Sequence, residues 1–463
     1  MASPPEAEPT LERFGYRQEL RRSLTFRDLL IYGLIFMVPI APFGIFGSVF
    51  RASGGMVALA YLVGMVAMVF TALSYAQMAK AFPMAGSVYT YAGRGIAPPV
   101  GFLAGWVILL DYVLVPSLLY LIAGLAMNSL VPAVPVWAWL VFFVVLNTAV
   151  NYLGIEMTAR ANRIMLVAEL AVLAVFIVIG LVALANGKGS GSPTSPIFDP
   201  GTFSWPLIFG AVSVAVLSFL GFDGISTLAE ESREEAGRLG RSMVAALGLA
   251  GALFIVQTWV ASMLVTDRAA LLAPDANVDD AFYDVAAYAG GSWLAVLTAA
   301  ATAVAWGFAN SLVAQAATSR LLYAMARDRQ LPAFLAKVDE RRRVPVNATF
   351  LVALVSLAVG LGAAFYGDGV SLLGSLVNFG AMTAFLALHV SVFWHHVVRG
   401  GSRDWLRHLV LPGAGFLVLL FVVINASVHA QLLGFAWLGA GVILLAVMYL
   451  RGRRPSLPWM DRP

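Results

Sequence analysis

Long apolar runs separated by short polar segments dominate the sequence. Twelve of these runs have about 20 residues, the length that crosses the hydrocarbon core of a bilayer as a helix. The predicted spans are residues 26–50, 56–80, 99–130, 135–153, 162–184, 207–228, 243–265, 291–325, 348–366, 373–397, 408–427 and 432–449. The pattern therefore predicts an all-α polytopic membrane protein with twelve transmembrane helices.

Two of the predicted spans are interrupted in the middle by residues that break helices. In the sixth span, residues 218–227 place one carboxylate, Asp223, between two glycines. In the first span, residues 38–47 contain two prolines and two glycines. Irregular backbone at bilayer depth is tolerated only where it lines a cavity or is buried in protein. Broken spans five segments apart are typical of an inverted-repeat transporter with its substrate site at the membrane midplane.

The composition excludes several other classes of protein. Of the 463 residues, 60% are hydrophobic and 12% are charged, which is too apolar for a soluble protein. The absence of cysteine excludes disulfides and cysteine metal sites. The sequence has no P-loop, no His-Glu-x-x-His motif and no serine nucleophile elbow. We therefore expect neither an enzyme nor a bound cofactor or metal.

The positive charges predict the orientation. With the N-terminus inside, 26 of the 29 Lys and Arg residues fall in the inner loops and tails, and Arg51, Lys188 and Arg268 fall outside. By the positive-inside rule, both tails, residues 1–25 and 451–463, lie in the cytoplasm. The basic balance thus reflects topology, and we expect no nucleic-acid partner.

The ionisable side chains deep in the spans are acidic. They are Asp111, Glu169 and Asp223, with no Lys or Arg at that depth, and His389 lies towards the inner end of the tenth span. Intramembrane ionisable residues mark functional sites by default. Buried acids without a fixed base must be protonated, separated or matched by a mobile cation. The imbalance indicates a cationic substrate, protons, or both.

Each acid also has a structural interpretation. Asp223 pairs with a substrate amine or acts in a proton-linked gate, or else it is satisfied by Ser226, Thr227 or backbone amides. Asp111 lines the site or makes a hydrogen bond between helices. Glu169 lies about 9 Å into the fifth span, where it transfers protons or snorkels to the surface.

Aromatic and hydroxyl side chains near the breaks are less specific signals. A cage around an amine by cation–π contact and ordinary packing are both open for Phe43, Phe46, Phe219, Phe222 and Trp306. Asn310 contacts substrate or joins two helices. A sodium site could use Ser311, Thr318 and Ser319. It is the weaker alternative, because hydroxyls in membrane helices usually bond their own backbone.

Three motifs carry a resemblance to a known family. The sequence SRLLYAMARDRQLP at 319–332, followed by VPVNA at 344–348, resembles the eighth-to-ninth helix signature of the amino acid–polyamine–organocation permeases. The sequence FPMAGSVY at 82–89 and the two broken helices resemble that family as well. The resemblance implies a five-plus-five inverted repeat (the LeuT-like fold) over residues 26–397, with helices eleven and twelve added over 398–450. It also implies alternating access, usually coupled to protons or driven by exchange.

Two departures from the family pattern refine this expectation. Ordinary amino-acid permeases carry a Gly-Ser-Gly-like first break whose amides hold the substrate carboxylate, whereas this chain has Pro42, Phe43 and Gly44 there. Proline has no amide hydrogen to donate. With Asp111 and Asp223 also present, the pattern resembles the bacterial putrescine-importer branch, whose substrate has two amines and no carboxylate.

The second departure concerns coupling. Glu169 falls where many proton-coupled relatives place a lysine in the fifth helix. An acid cannot supply that fixed positive charge, so the usual coupling scheme does not transfer to this chain. Glu169 itself, as a buried acid, is the candidate proton carrier.

Together these observations predict a secondary transporter of the bacterial cytoplasmic membrane that imports a polyamine such as putrescine by proton symport, as a monomer or homodimer. One amine pairs with Asp223 and the other with Asp111. The predicted substrate-binding residues are Ala41, Phe43, Gly44, Ile45, Asp111, Tyr112, Phe219, Gly221, Phe222, Asp223, Trp306 and Asn310. The alternatives are a broad amino-acid permease that holds the carboxylate by other amides, and a transport-dead sensor or a channel. The short tails, which offer no output domain, argue against the sensor.

Overall fold

The computed structural model describes residues 22–84, 87–233, 236–273, 276–365, 369–426 and 428–451. Most of the two predicted tails lies outside these residues. Over the described residues the chain is helical, apart from loops and one isolated bridge between Leu24 and Ser232. The helices are α1 Phe26–Met37, α2 Pro42–Ala52, α3 Val57–Ala81, α4 Ser87–Gly95, α5 Pro98–Leu130, α6 Val136–Leu153, α7 Ile155–Ala185, α8 Trp205–Ala215, α9 Ala236–Met263, α10 Arg268–Leu272, α11 Ala281–Gly290, α12 Ser292–Val304, α13 Ser311–Arg327, α14 Val346–Ala364, α15 Gly369–Phe393, α16 Leu411–Ile424 and α17 Val428–Leu450.

The number of spans agrees with the sequence prediction. Among the described residues, 11 helical segments are long and apolar enough to cross a membrane, and the bent pair α1 and α2 makes the count 12. The axes of α1 and α2 differ by 53°. The sixth span, Trp205–Glu231, begins with α8 and ends in 3₁₀ turns. The prediction of an all-α protein with twelve spans, the first and sixth of them broken, is confirmed.

The first break follows from its two prolines. Val38 ends α1 with φ of +53°, and Pro42 begins α2 at the first helical position, where its missing amide hydrogen costs nothing. The break frees backbone carbonyls that need donors inside a membrane protein. Gln257 of α9 supplies one of them, because its side-chain amide donates to the carbonyl of Pro39 at 2.9 Å.

The second break depends on glycine. Gly221 has φ of +116°, in the left-handed region that glycine adopts without strain. The ring of Phe36, in α1, packs against this residue and against Gly224: a Cβ on Gly221 would lie 2.6 Å from a ring atom, and one on Gly224 even closer. Phe36 therefore joins the first span to the second break, so that the two breaks face each other inside the protein.

The eighth span contains an irregularity that the sequence did not predict. A π-helical turn, Ala305–Asn310, lies between α12 and α13. Two asparagines of α6 bond the carbonyls around it: Asn147 donates to Gly307 at 3.0 Å, and Asn151 donates to Leu312 at 2.9 Å. Such turns occur often at functional sites. This one brings residues from both of its ends to the same cavity, as described below.

The structure also contains two ion pairs inside the protein that the sequence did not predict. Arg320, in α13, is buried and binds Glu231 through two nitrogens. Arg327 binds both carboxylate oxygens of Glu230 at 2.8 and 3.0 Å. The charge pattern of the sequence places both arginines among the loop cations and gives no sign that these two acids pair with them. Because the two pairs are neutral together, the excess of acid deeper in the spans is unchanged.

Candidate functional site

A small enclosed cavity lies where the two breaks meet. It has a volume of about 30 Å³, which is room for roughly two water molecules. Five of the twelve predicted substrate-binding residues line it, namely Ala41, Asp111, Gly221, Trp306 and Asn310. Because an organic amine needs more space than this, the structure represents a conformation that is closed around the site.

The polar groups in the cavity wall lack partners. Asp111, 4% exposed, has no hydrogen bond or ion pair to its carboxylate among the residues that the structure describes. The same holds for two atoms at the ends of the π turn, the side-chain oxygen of Asn310 and the indole N–H of Trp306. A buried polar group without a partner is costly. The cavity therefore presents two acceptors and one donor to whatever binds there.

Asp223 lies beside the cavity, enclosed by hydroxyl groups. The hydroxyl of Tyr112 donates to its carboxylate at 2.6 Å, and the hydroxyl of Tyr75 does so at 3.4 Å. The backbone amides of Gly221 and of Asp223 itself point at the same carboxylate. The carboxylate does not line the cavity, although Gly221, two residues earlier, does.

The partners of Asp223 differ from those considered from the sequence. Thr227 donates to the carbonyl of Gly224 instead of to the carboxylate, and Ser226 makes no hydrogen bond to it. Tyr75 lies in α3, the second span, 148 residues from Asp223 in the sequence, and was therefore not identified as a site residue. Its spacing from Asp223 in the sequence gives no signal of the contact.

Ser87 completes this hydroxyl cluster. Its side-chain oxygen lies 3.0 Å from the hydroxyl of Tyr75 and 3.5 Å from that of Tyr112. Its φ of +52° is uncommon for any residue other than glycine. Strained backbone of this kind concentrates at functional sites. Ser87 belongs to the 82–89 motif, which was the available signal for it.

The aromatic residues considered as a cage are dispersed. Among them, Trp306 lines the cavity, and Gly44 leaves room for its ring, since a Cβ there would lie 3.3 Å from it. The other four pack into the surrounding core. Phe43 stacks on Phe282 at 4.0 Å. The remaining contacts are edge-on or tilted: Phe46 with Phe282 and Phe50, Phe219 with Tyr61 and Phe254, and Phe222 with Tyr75 and Phe385.

Glu169 is buried away from the cavity. It is 4% exposed, and neither carboxylate oxygen has a hydrogen-bond partner among the described residues. Its helix, α7, packs beside α1. A carboxylate in this setting is stable when it is neutral or when a cation reaches it.

The hydroxyls considered for a sodium site bond to backbone carbonyls. Ser311 donates to Trp306, Ser319 to Ala316 at 2.8 Å, and Thr318 to Tyr112 at 2.5 Å. Within the described part of the chain, no group of three or more acidic or histidine side chains is placed to bind a metal ion.

A larger cavity, which we call the vestibule, lies next to the site on one side of the protein. It is open, has a volume of about 780 Å³, and is lined by Ile45, Arg51, Asp279 and Asn378 among others. Leu217 lines both this vestibule and the small cavity, so it forms the partition between them.

On the opposite side lie the two buried ion pairs, Arg320 with Glu231 and Arg327 with Glu230. The site is therefore closer to opening on the Arg51 side.

Comparison with known proteins shows the family. The model of the amino acid permease family matches residues 29–449. The low-affinity putrescine importer PlaP of Escherichia coli K12 is 33% identical, over 96% of this chain and 97% of its own length. The branched-chain amino acid permease BcaP of Bacillus subtilis is 27% identical, over 95% of each chain. The vacuolar cationic amino acid transporter 4 of Arabidopsis thaliana is 28% identical over 81% of this chain and 63% of its own.

These relatives are transporters, and their similarity extends over nearly all the spans of this multi-pass membrane protein. The residues matched by the family model include both breaks and the signature between the eighth and ninth spans. The chain therefore belongs to the amino acid permease family of the amino acid–polyamine–organocation superfamily, whose members carry amino acids and polyamines across membranes.

Proposed function

We propose that the protein imports a polyamine, with putrescine as the type substrate, by alternating access across the bacterial cytoplasmic membrane. The observation that carries this proposal is the charge of the small cavity. The carboxylate of Asp111 and the side-chain oxygen of Asn310 are acceptors in its wall, and among the described residues the Asn310 oxygen has no hydrogen-bond partner. The described residues that line the cavity include no Lys, Arg or His. A protonated amine supplies the missing positive charge and hydrogen-bond donors.

The breaks offer little to bind a substrate carboxylate. At the first break the amides of Phe43 and Gly44 already donate to the carbonyls of Ile40 and Ala41, at 2.9 and 3.2 Å, and Pro42 has no amide hydrogen. At the second break, the backbone amides of Gly221 and Asp223 lie near the carboxylate of Asp223, whose negative charge would repel a second anion there. An amino acid would bring a carboxylate to a site that already contains acids. A diamine avoids this repulsion.

Both acids attract the same amine in this proposal. Asp111 contacts the amine directly with Asn310, and Asp223 adds its negative charge from behind Gly221. This differs from the bracket predicted from the sequence, in which each acid held one amine, because Tyr112 and Tyr75 already bond to Asp223. Rocking of the helices that carry the breaks would then expose the site to either side in turn.

Glu169 is the proposed proton carrier. Its carboxylate is buried on α7 without a hydrogen-bond partner in the described part of the chain. This helix lies beside α1, whose broken span must move in alternating access. Movement that admits water to Glu169 would favour release of its proton. The proposed coupling is thus proton symport, with the sodium alternative disfavoured by the backbone bonds of Ser311, Thr318 and Ser319.

The proposed orientation places both termini in the cytoplasm. The Arg51 side then faces outwards, and the open vestibule is the entry route for substrate from outside. The two buried ion pairs close the cytoplasmic side. The transporter would work in the bilayer as a monomer or homodimer.

A second candidate function is uptake of amino acids. The indole N–H of Trp306 is a buried donor without an acceptor among the described residues, and it lines the cavity. A substrate carboxylate would satisfy it, with the substrate amine on Asp111. Branched-chain amino acid permeases are also among the relatives of this chain.

The proposal is tested by uptake of labelled putrescine into proteoliposomes. Asp111→Asn and Asp223→Asn should each abolish uptake, because each removes a negative charge that attracts the amine, while both variants keep the fold. Asp404→Asn, which changes an exposed acid in a weak pair with Arg407 at 3.6 Å, is the control and should transport normally. Normal uptake by Asp111→Asn would refute the proposal. Flux without saturation or counterflow would indicate a channel instead.

A further inference from the structure

The proposed site accounts for one amine of a diamine, and the vestibule side of Leu217 offers an acceptor for the second. We propose that Asn378, in α15, binds the distal amine and makes the transporter select diamines over monoamines. This inference rests on the proposed function and adds a residue that the sequence analysis did not identify.

The side-chain amide of Asn378 forms a hydrogen bond through its N–H group but not through its oxygen. Its side-chain N–H donates to the carbonyl of Ser213 at 3.0 Å, which ties α15 to α8 just before the second break. Its side-chain oxygen is buried and accepts no hydrogen bond from any described residue. The residue lines the vestibule beside Leu217, the partition from the small cavity. An acceptor without a donor thus lies on the path from the vestibule to Asp111.

The spacing suits a short diamine. Gly380, two residues after Asn378, packs directly on α5, where its Cβ would lie 3.1 Å from the backbone nitrogen of Asp111. Residues two apart in a helix have Cα atoms roughly 5.5 Å apart. The backbone of Asn378 is therefore roughly 10–12 Å at most from that of Asp111. Side chains two residues apart in a helix point to nearly opposite sides, so the side-chain oxygen of Asn378 lies farther from Asp111 than its backbone does. The nitrogens of extended putrescine are roughly 6–7 Å apart, and a hydrogen bond of about 3 Å at each end lets it join acceptors roughly 12–13 Å apart.

The chemistry between the two ends also fits. Leu217 lies between them and provides an apolar surface for the methylene chain. The amide oxygen of Asn378 accepts from an ammonium group, whereas the methyl end of a monoamine would leave that oxygen without a donor. Loss of one hydrogen bond to a charged group typically changes affinity about tenfold or more. We therefore expect the preference for putrescine over butylamine, which has the same four carbons, to depend on Asn378.

The experiment measures competition by putrescine and by butylamine against labelled putrescine in proteoliposomes. Asn378→Leu, which keeps the branched shape and removes the acceptor, should weaken putrescine about tenfold and leave butylamine nearly unchanged. Asn378→Asp, which keeps an acceptor and adds a negative charge, should retain or increase the preference for putrescine. The matched control is Asn425→Leu, because Asn425, half-buried at the end of α16, donates its side-chain N–H to the carbonyl of Phe421 one turn earlier. Its preference should equal that of the wild type.

The outcomes separate this inference from the proposed function. If the wild type does not transport putrescine, the proposed function fails and the inference fails with it. If the wild type transports putrescine but Asn378→Leu weakens both amines equally, the role of Asn378 is structural, through its bond to Ser213, and the inference is overturned. An unchanged ratio in both Asn378 variants overturns it as well. If Asn378→Leu does not fold, Asn378→Asp alone decides: a fall in its preference for putrescine overturns the inference.

Discussion

The hydroxyl of Tyr112 donates a hydrogen bond of 2.6 Å to the carboxylate of Asp223, joining α5 to the second break. The preceding residue, Asp111, lines the cavity without a partner among the described residues. Two successive residues of α5 therefore position the two acids. Asp111 places its own carboxylate in the cavity wall, and Tyr112 holds the carboxylate of Asp223 beside the cavity. This arrangement leaves one acid accessible to substrate and keeps the other enclosed.

Tyr112→Phe should impair transport without unfolding the protein. The change removes a hydrogen bond to a charged or proton-sharing group, which is typically worth about 1.5–3 kcal/mol. We expect kcat/KM for putrescine uptake to fall about tenfold or more. Tyr120→Phe is the control, because Tyr120 lies fully buried in the same helix and its hydroxyl accepts from the neutral Asn147 at 3.2 Å. Equal losses in the two variants would contradict a special role for the bond to Asp223.

Gly221→Ala should disable the transporter and lower its stability. The left-handed conformation costs a residue with a Cβ about 1–2 kcal/mol, and that Cβ would also meet the ring of Phe36 at 2.6 Å. Gly248→Ala is the control within α9, where a Cβ would meet no atom within 4 Å. It should raise stability by about 0.5–1 kcal/mol through helix propensity. Thermal unfolding in detergent measures both, and a Gly221→Ala protein as stable as the wild type would contradict the packing described for the two breaks.

Breaking a buried ion pair should cost more than breaking an exposed one. Glu231→Gln leaves the Arg320 charge buried without its partner, and such changes typically cost about 3–5 kcal/mol. Arg407→Gln breaks the exposed pair with Asp404 and should cost less than about 1 kcal/mol. The two thermal unfolding temperatures give the comparison. Similar small shifts in both variants would mean that the Arg320–Glu231 pair contributes little to closing that side.

Glu169→Gln should still carry putrescine across the membrane, but this transport should no longer be coupled to a proton gradient. If Glu169 carries the proton, the variant should still exchange external for internal putrescine but should not concentrate it in response to an imposed pH gradient. Exchange is measured by counterflow in proteoliposomes without a gradient, and accumulation with one. Accumulation at the wild-type level by Glu169→Gln would assign the proton to another group.

The sequence was sufficient for the outline of the fold and for identifying Asp111 and Asp223 as acids deep in the spans. Prolines and glycines within apolar runs located both breaks, because helix-breaking residues at bilayer depth have few tolerated settings. Asp111 was identified by the same reasoning about charge in lipid, and the structure places it in the cavity wall. These inferences needed no knowledge of which helices are neighbours.

The features that the sequence did not reveal depend on contacts between distant segments. Asp223 is enclosed in part by Tyr75, which lies in α3, and Ser87, the first residue of α4, completes this cluster of hydroxyls. The π turn has no local signal, since it depends on asparagines of α6 that bond its carbonyls. The buried ion pairs looked like loop charges because their partners lie on separate spans. In each case the decisive partner is remote in the chain.

The most direct test of the central claim is a thermal-shift panel on the purified protein with putrescine, cadaverine, spermidine, agmatine, arginine, alanine and glutamate. A ligand that binds the native state raises its unfolding temperature by mass action. The acceptor-lined cavity predicts stabilisation by the diamines and none by alanine or glutamate. Stabilisation by alanine or other zwitterions without stabilisation by putrescine would mean that the site captures carboxylates, and would contradict the proposed function.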